Sequence, residues 1–201
     1  MSKGVKIGCG VLLVVGVIVA GFIMWGVGVY NDIVKLDEAV TASWGQVENQ
    51  YQRRMDLVPN LVNTVKGAAS FEKDTFIAVA EARANAGQIK LSPDMLSNPS
   101  AFQKFQSAQD GLSSALSRLL VTVEKYPELK ANENFLNLQA QLEGTENRIS
   151  VERKRFNQTV QTFNTKIKTF PANLIAGFGN FQPKQYFSSQ EGADKAPKVQ
   201  F

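Results

Sequence analysis

The hydrophobic pattern of the chain begins with an uncharged run from Ile7 to Asn31, with the sequence IGCGVLLVVGVIVAGFIMWGVGVYN. Because an α-helix rises about 1.5 Å per residue, this run would form a helix of roughly 37 Å, enough to cross a hydrocarbon core of about 30 Å with some tilt. A long polar chain follows it. The pattern therefore predicts a transmembrane helix that contacts membrane lipid through residues 7–30 and holds a folded domain on one side.

A cleaved signal peptide is the main alternative to a permanent anchor. Gly26, Val27 and Gly28 weakly resemble a small-x-small cleavage site, but the apolar run exceeds the ~7–15 residues of a signal-peptide core. Trp25 and Tyr30 lie near the far end of the run, where aromatic rings favour the headgroup level. These features favour the anchor.

Charges on either side of the run predict its orientation. Lys3 and Lys6 precede it, whereas Asp32, Asp37 and Glu38 open the chain beyond it, together with a single lysine. Lysine and arginine are enriched in cytoplasmic flanks. We therefore expect the N-terminus in the cytoplasm and the C-terminal domain outside the cytoplasm.

Beyond the run, apolar residues follow a helical period from Ile33 to Ala69. Alternating steps of three and four place them on two heptad positions and make one apolar seam. Pro59 lies inside this pattern and is expected to kink the helix or to begin a new one, because proline lacks a backbone donor. The seam consists of Ile33, Val40, Trp44, Val47, Tyr51, Val58, Leu61, Val65 and Ala68.

Three further helices are predicted, at about 71–86, 101–126 and 132–170. The segment 87–100 contains two prolines and several serines and is expected to be a loop, with Ser97 or Ser100 capping the next helix. The last helix shows the strongest period, because an apolar residue recurs at every seventh position: Phe135, Leu142, Ile149, Phe156, Phe163 and Phe170. No strand-like alternation is present, so the predicted fold is all-α, with an N-terminal transmembrane helix followed by an antiparallel bundle of long helices.

This pattern divides the chain into three parts. Residues 1–31 form the tail and transmembrane helix, 32–187 the bundle, and 188–201 a disordered C-terminal tail. The stretch FGNFQPKQYF, residues 178–187, is rich in aromatics. Two interpretations remain open for it, a patch at the membrane interface and packing back onto the bundle.

Three charges occupy positions where the heptad pattern expects apolar residues, namely Arg54, Glu146 and Arg153. An unpaired buried charge is costly, so we expect a structural ion network in which Arg54 meets Glu146 with Arg153 nearby. Removing Glu146 is then expected to cost about 3–5 kcal/mol. The alternative is that the bundle is hydrated at this level and that these side chains extend to solvent. Asn157 and Asn164, seven residues apart, either bond to a neighbouring helix or face solvent.

Composition limits the chemistry. The chain has no His, and its one Cys is Cys9, so an internal disulfide, a Cys/His zinc site and Ser-His or Cys-His catalysis are excluded. Without Lys3 and Lys6, basic residues exceed acidic ones by only two, which favours no nucleic-acid binding. The main enzymatic alternative is a carboxylate pair formed by Glu143 and Glu146 on one helical face. We expect no enzymatic activity and no cofactor.

Three stretches together resemble the LemA family of bacterial membrane proteins, and the likeness runs from the membrane helix to about Phe187. They are WGQVENQYQRRMDLVPNLVNTVKG, the FE…AEARA that follows, and YPELKANENFLNLQAQLEGTENRISVERKRFNQTVQTFNTKIKTFP. The resemblance implies one membrane helix and a bundle of long helices, and its motifs include Arg54, Glu146, Arg153, Asn157 and Asn164. Phe156 departs from the family, which often has Tyr before the Asn.

The resemblance implies no activity or cofactor. With the residue analysis it predicts a non-enzymatic, membrane-anchored scaffold or interaction protein of the bacterial envelope. Its expected partners are its own copies, in a homo-oligomer, and an unidentified envelope protein. Gly16 and Ala20 form a small-xxx-small pair of the kind that lets two membrane helices approach. The alternatives are an adaptor or regulator of a membrane protease in envelope stress, and a membrane-remodelling protein.

Overall fold

The computed structural model describes residues 3–66, 73–89 and 92–188. Over these ranges the chain is helical with no strand, which confirms the all-α prediction. The helices are α1 (Lys3–Lys66), α2 (Lys73–Gly87), a 3₁₀ helix (Pro93–Ser97), α3 (Pro99–Val123), α4 (Pro127–Lys130), α5 (Glu133–Lys168) and α6 (Ala172–Phe178). The C-terminal tail was expected to be disordered, and its residues after Ser188 lie outside the described residues.

Helix α1 is both the apolar N-terminal helix and the first helix of the bundle. Its residues 10–25 are exposed, and burial against the other helices begins at Val29. The helix crosses the expected boundary between residues 31 and 32 without interruption. The direction of the bundle is therefore set by the direction of its apolar N-terminal part.

Pro59 neither ends α1 nor begins a new helix. Proline has no N–H to donate to the carbonyl four residues earlier, which is that of Met55. The Nε of Arg83, on α2, donates to this carbonyl at 3.2 Å. Arg83 thus replaces the hydrogen bond that Pro59 cannot make, and α1 continues to Lys66.

Contacts at two levels give the directions of the long helices. Along α1, Asp32 meets Lys166 and Arg54 meets Glu146, so α5 runs antiparallel to α1. Trp44 of α1 contacts Phe105 of α3, and Arg54, farther along α1, contacts Ser113, farther along α3. Helix α3 therefore runs parallel to α1. The predicted antiparallel bundle is confirmed in α1 and α5.

The core consists of two clusters. The proximal cluster, next to the apolar part of α1, is centred on Trp44, whose ring meets Phe105 and Phe156 edge-on at 5.4 and 5.6 Å between centroids. The distal cluster is mainly aliphatic and contains Leu61, Leu112 and Leu142, among others. Buried aromatic rings in tilted contacts add to the stability from apolar burial.

Helix ends differ from the sequence prediction in several places. Asn98, not Ser97 or Ser100, caps α3, because its Oδ1 accepts from Ala101 N at 3.1 Å. A 3₁₀ helix forms within the expected loop, and α6 forms after cis-Pro171, where no helix was expected. Phe170, expected in the core, is 76% exposed because α5 already ends at Lys168.

The role of Arg83 can be tested with a double-mutant cycle. We expect Arg83→Met to lower the free energy of unfolding by about 1–2 kcal/mol, because the partly buried Met55 carbonyl loses its donor. The loss should be smaller in a Pro59→Ala background, where the N–H of residue 59 can bond to that carbonyl. Denaturant unfolding in detergent measures the loss in both backgrounds. The control is Arg148→Met, a substitution at an exposed arginine of α5. An equal loss in both backgrounds would contradict this role.

Candidate functional site

A layer of polar side chains separates the two core clusters. It contains Arg54, Gln109 and Thr145, which are all buried. Each of the three lies between apolar residues of its own helix, for example Arg54 between Tyr51 and Val58 on the buried face of α1. We call these three residues the polar layer.

Arg54 is the centre of this layer and is only 1% exposed. Its Nη1 donates to Ser113 Oγ at 2.6 Å and to Glu146 Oε1 at 2.9 Å. Its Nη2 donates to the backbone oxygen of Gln109 at 3.2 Å and to the Gln109 side-chain oxygen. The planar guanidinium fork therefore bonds to α3 and α5 at once, a geometry that a lysine does not provide.

The structure brings Arg54 and Glu146 together, with Arg153 nearby but paired with a different residue. The Glu146 side chain is 37% exposed, so the ion pair reaches from the core to the surface. Arg153 pairs with Asp110 of α3 at 3.5 Å and lies over the Phe187 ring, 4.5 Å from its centroid. The expected network is thus two separate ion pairs, both of which join α5 to a neighbouring helix.

Asn157 and Asn164 bond to an extended segment and not to a helix. This segment, Phe181–Ser188, is named the strap here. Asn157 Nδ2 donates to Phe187 O and its Oδ1 accepts from Phe187 N, both at 2.9 Å. Asn164 makes the same two bonds to Lys184, again at 2.9 Å. Each amide therefore satisfies both backbone groups of one strap residue, as a neighbouring strand would.

Other contacts of the strap reach three more elements. Lys184 Nζ lies 2.9 Å from Asp37 Oδ1 of α1, and Gln185 N donates to Leu96 O in the 3₁₀ helix at 2.7 Å. Ser188 bonds to Gln106 of α3, and the buried Phe187 joins the rings around Trp44. Of the two interpretations of the aromatic stretch, packing onto the bundle therefore holds for Phe187.

Sequence analysis allowed this stretch to pack onto the bundle but did not predict the hydrogen bonds that hold the strap, although two signals were present. Pro183 disfavours helix at Gln182 and favours extended backbone. Asn157 and Asn164 each follow a buried Phe of the α5 seam, which puts their amides at the edge of the core. Neither signal identifies which distant backbone the amides bind.

A cavity of about 310 Å³ opens beside the polar layer, where the strap ends. Its lining includes Tyr51, Arg54, Glu146, Arg153 and Lys154. Neither the Tyr51 hydroxyl nor Arg54 Nε has a hydrogen-bond partner among the described residues. Burial raises the pKa of Tyr51 to about 12, against the opposing effect of Arg153 and Arg54. Tyr51 therefore stays neutral near pH 7 and can donate a hydrogen bond.

The carboxylate pair considered for catalysis is split between different partners. Glu146 accepts from Arg54, while Glu143 accepts from Gln139 Nε2 on its own helix at 2.9 Å. In the part of the chain that the structure describes, no cluster of three His, Cys, Asp or Glu side chains could hold a metal ion. The cavity is lined by the charges of two ion pairs, and its unpartnered Tyr51 hydroxyl and Arg54 Nε could donate hydrogen bonds to a polar group of a ligand.

Comparison with known proteins identifies similar chains. A model of the LemA family matches residues 43–201. Magnetosome protein MamQ 2 of Paramagnetospirillum magneticum is 26% identical over 200 residues, which cover 91% of this chain and 74% of that protein. Magnetosome protein MamQ of Magnetospirillum gryphiswaldense is 26% identical over 82% of this chain and 66% of its own. Protein LemA of Metamycoplasma hominis is 24% identical over 75% of this chain and 64% of that protein. The family match includes the polar layer and the strap.

The polar layer predicts an unequal effect of its two charges. We expect Arg54→Ala to lower the free energy of unfolding by about 2–5 kcal/mol, because it leaves a cavity and unpaired groups on Gln109. Glu146→Ala should lower the free energy of unfolding by only about 1 kcal/mol, less than the sequence predicts. Glu146 is partly exposed, and Arg54 retains its hydrogen bonds to Gln109 and Ser113. Denaturant titration measures these losses.

The matched control is Glu143→Ala, an exposed glutamate one turn away on α5. It should leave the free energy of unfolding nearly unchanged. The double variant Arg54→Ala/Glu146→Ala should be no less stable than Arg54→Ala alone. Strictly additive losses would show that the two side chains do not interact.

The strap predicts a specific protease result. We expect Asn157→Asp and Asn164→Asp to release the strap, because a carboxylate loses the amide donor and repels the backbone oxygen that it faced. Each change should cost about 1–2 kcal/mol of local stability. Lys184 is the only trypsin site in the strap, so cleavage after Lys184 reports release. The exposed Asn147→Asp is the control. Equal cleavage rates in all three variants would refute this role of the amides.

Proposed function

The chain belongs to the LemA family, and from this premise we propose that it is a membrane-anchored, non-enzymatic scaffold of the bacterial envelope that presents its bundle to protein partners. The observation that carries this proposal is the continuity of α1. Its apolar part is long enough to cross a membrane and is unburied in the protein, while its later part forms the bundle core. Similarity to LemA and MamQ proteins supports a membrane-associated helical protein.

Rigid coupling between anchor and bundle supports a scaffold role. Burial of α1 begins at Val29, and the ion pair between Asp32 and Lys166 follows at 3.6 Å. No linker separates the anchor from the bundle, because α1 is one helix across this point. The bundle is therefore presented to partners at a fixed height and angle relative to the anchor.

Association with further copies of the chain is part of the proposal. The anchor is a single helix whose described side chains from Val11 to Met24 are exposed and uncharged. The small residues Gly16 and Ala20 lie on one face of it, where a second helix can approach closely. Lateral contact between anchors would place two bundles side by side.

The proposed orientation puts the bundle outside the cytoplasm. Support comes from Lys3 and Lys6 before the apolar run and from the acidic residues Asp32, Asp37 and Glu38 after it. An envelope protein on that side is the expected partner, and the mixed-charge cavity beside Arg54 is a candidate contact for one of its polar side chains.

Cysteine cross-linking in native membranes tests self-association. In a Cys9→Ser background, Ala20→Cys is compared with Phe22→Cys, which lies about 200° around the helix. Oxidation should give several-fold more disulfide-linked dimer for Ala20→Cys, because that face carries the Gly16–Ala20 pair. The absence of dimer from both variants, together with a monomeric mass in nanodiscs at rising protein-to-lipid ratio, would contradict the proposal.

The orientation is measured in the same background with Val151→Cys, on the exposed surface of α5. A membrane-impermeant maleimide should label this cysteine in spheroplasts before lysis. Ala20→Cys is the control and should stay unlabelled, since a residue within the bilayer is inaccessible to the reagent. Labelling of Val151→Cys only after lysis would place the bundle in the cytoplasm.

A further inference from the structure

Helix α6 and the residues directly after it pack beside the end of the apolar run of α1. A Cβ placed on Gly26 would be 3.6 Å from Ile175 Cδ1 of α6. One on Gly179, directly after α6, would be 3.1 Å from the Tyr30 ring, and Tyr30 also meets Phe181 at 5.6 Å between centroids. Gly26 and Tyr30 both belong to the uncharged run Ile7–Asn31.

Both the buried and the outward side of α6 carry apolar residues, and the exposed Asn173 is the one polar side chain of this helix. Ala172 and Ala176 are buried against the bundle. On the other side Leu174 is 55% and Phe178 92% exposed, and Phe170, just before the helix, is 76% exposed. A soluble protein would normally place polar residues on such a face.

Charge is also absent from this part of the chain. From Thr169 to Pro183 there is no Asp, Glu, Lys or Arg. Lys166 and Lys168 lie at the end of α5 and Lys184 lies in the strap, so basic residues flank the uncharged stretch. Lys166 and Lys184 pair with Asp32 and Asp37 of α1, whereas the exposed Lys168 is suited to a lipid headgroup, because its stem can lie along the apolar layer while its ammonium group remains in water.

The depth of α6 follows from α1. Gly26 lies about 7.5 Å along the helix from Asn31, the last residue of the apolar run, at a rise of about 1.5 Å per residue. Interfacial helices bury their apolar face about 5–10 Å into the boundary between headgroups and acyl chains. If α1 spans the bilayer, a helix packed at Gly26 lies at that depth.

We propose that α6 is a second membrane contact, with Phe170, Leu174 and Phe178 inserted into the interface of the same bilayer that α1 spans. This inference rests on the proposed anchoring by α1. The lipid surface is the occupant that fits the exposed face, because the face is continuous with the apolar surface of α1. With two points of contact, the tilt of the bundle relative to the membrane plane is restricted.

Site-directed spin labelling tests this contact in the full chain. In a Cys9→Ser background, a nitroxide is attached at Ile18→Cys in the apolar run, at Phe178→Cys in α6, or at Val151→Cys on the exposed side of the bundle. The proteins are reconstituted in vesicles of phosphatidylcholine and phosphatidylglycerol. Collision with oxygen, which concentrates in lipid, is compared with collision with a water-soluble nickel complex. Resistance of Lys184 to trypsin verifies that each variant is folded.

We expect the oxygen-to-nickel ratio at position 178 to lie below that at 18 and several-fold above that at 151. A ratio at 178 equal to that at 151, with a lipid-like value at 18, overturns the contact of α6 and leaves the anchor intact. Low collision of the 178 label with both reagents also overturns it, because a second protein surface then covers α6. A water-like value at 18 overturns both the anchor and the contact that rests on it.

Discussion

The arrangement of the bundle depends on satisfying one buried guanidinium. Arg54 is 1% exposed, and a guanidinium at that depth with neither an ion pair nor hydrogen-bond partners would cost several kcal/mol. Its partners Gln109 and Ser113 come from α3 and Glu146 comes from α5. A slip of α3 by a heptad would put Phe102 or Leu116 in the place of Gln109, and a slip of α5 would put Gln139 or Arg153 in the place of Glu146. The polar layer therefore sets the register of three helices, as a buried polar residue does in a coiled coil.

The strap solves a second problem of unsatisfied polar groups. An extended segment packed on a helical bundle has no neighbouring strand for its backbone N–H and C=O groups. Asn157 and Asn164 supply a donor and an acceptor each to Phe187 and Lys184. The strap thereby ties α1, α3, α5 and the 3₁₀ helix together on the proximal side. It also connects the cavity at Arg54 with α6, so the candidate site and the proposed lipid contact belong to one packed unit.

Continuity of α1 links this packing to the apolar N-terminal part of the same helix. One helix carries the exposed apolar surface, the Trp44 cluster and Arg54 in succession. Proline at position 59 would be expected to interrupt it, but Arg83 supplies the missing donor to Met55 O. Because no flexible joint intervenes among the described residues of α1, a force or a contact at the bundle acts directly on the anchor. This is the physical basis for proposing a scaffold.

The sequence by itself determined the helical class, the apolar N-terminal helix and the buried seams, because these depend on local composition and periodicity. It also indicated that Arg54 and Glu146 needed partners, since both interrupt an apolar seam. Only the tertiary structure decided that Arg153 pairs with Asp110, that the two asparagines hold the strap, and that α6 lies beside Gly26. These contacts join residues far apart in the chain. They depend on how the helices pack and where the chain turns after Lys168, and a local pattern contains neither.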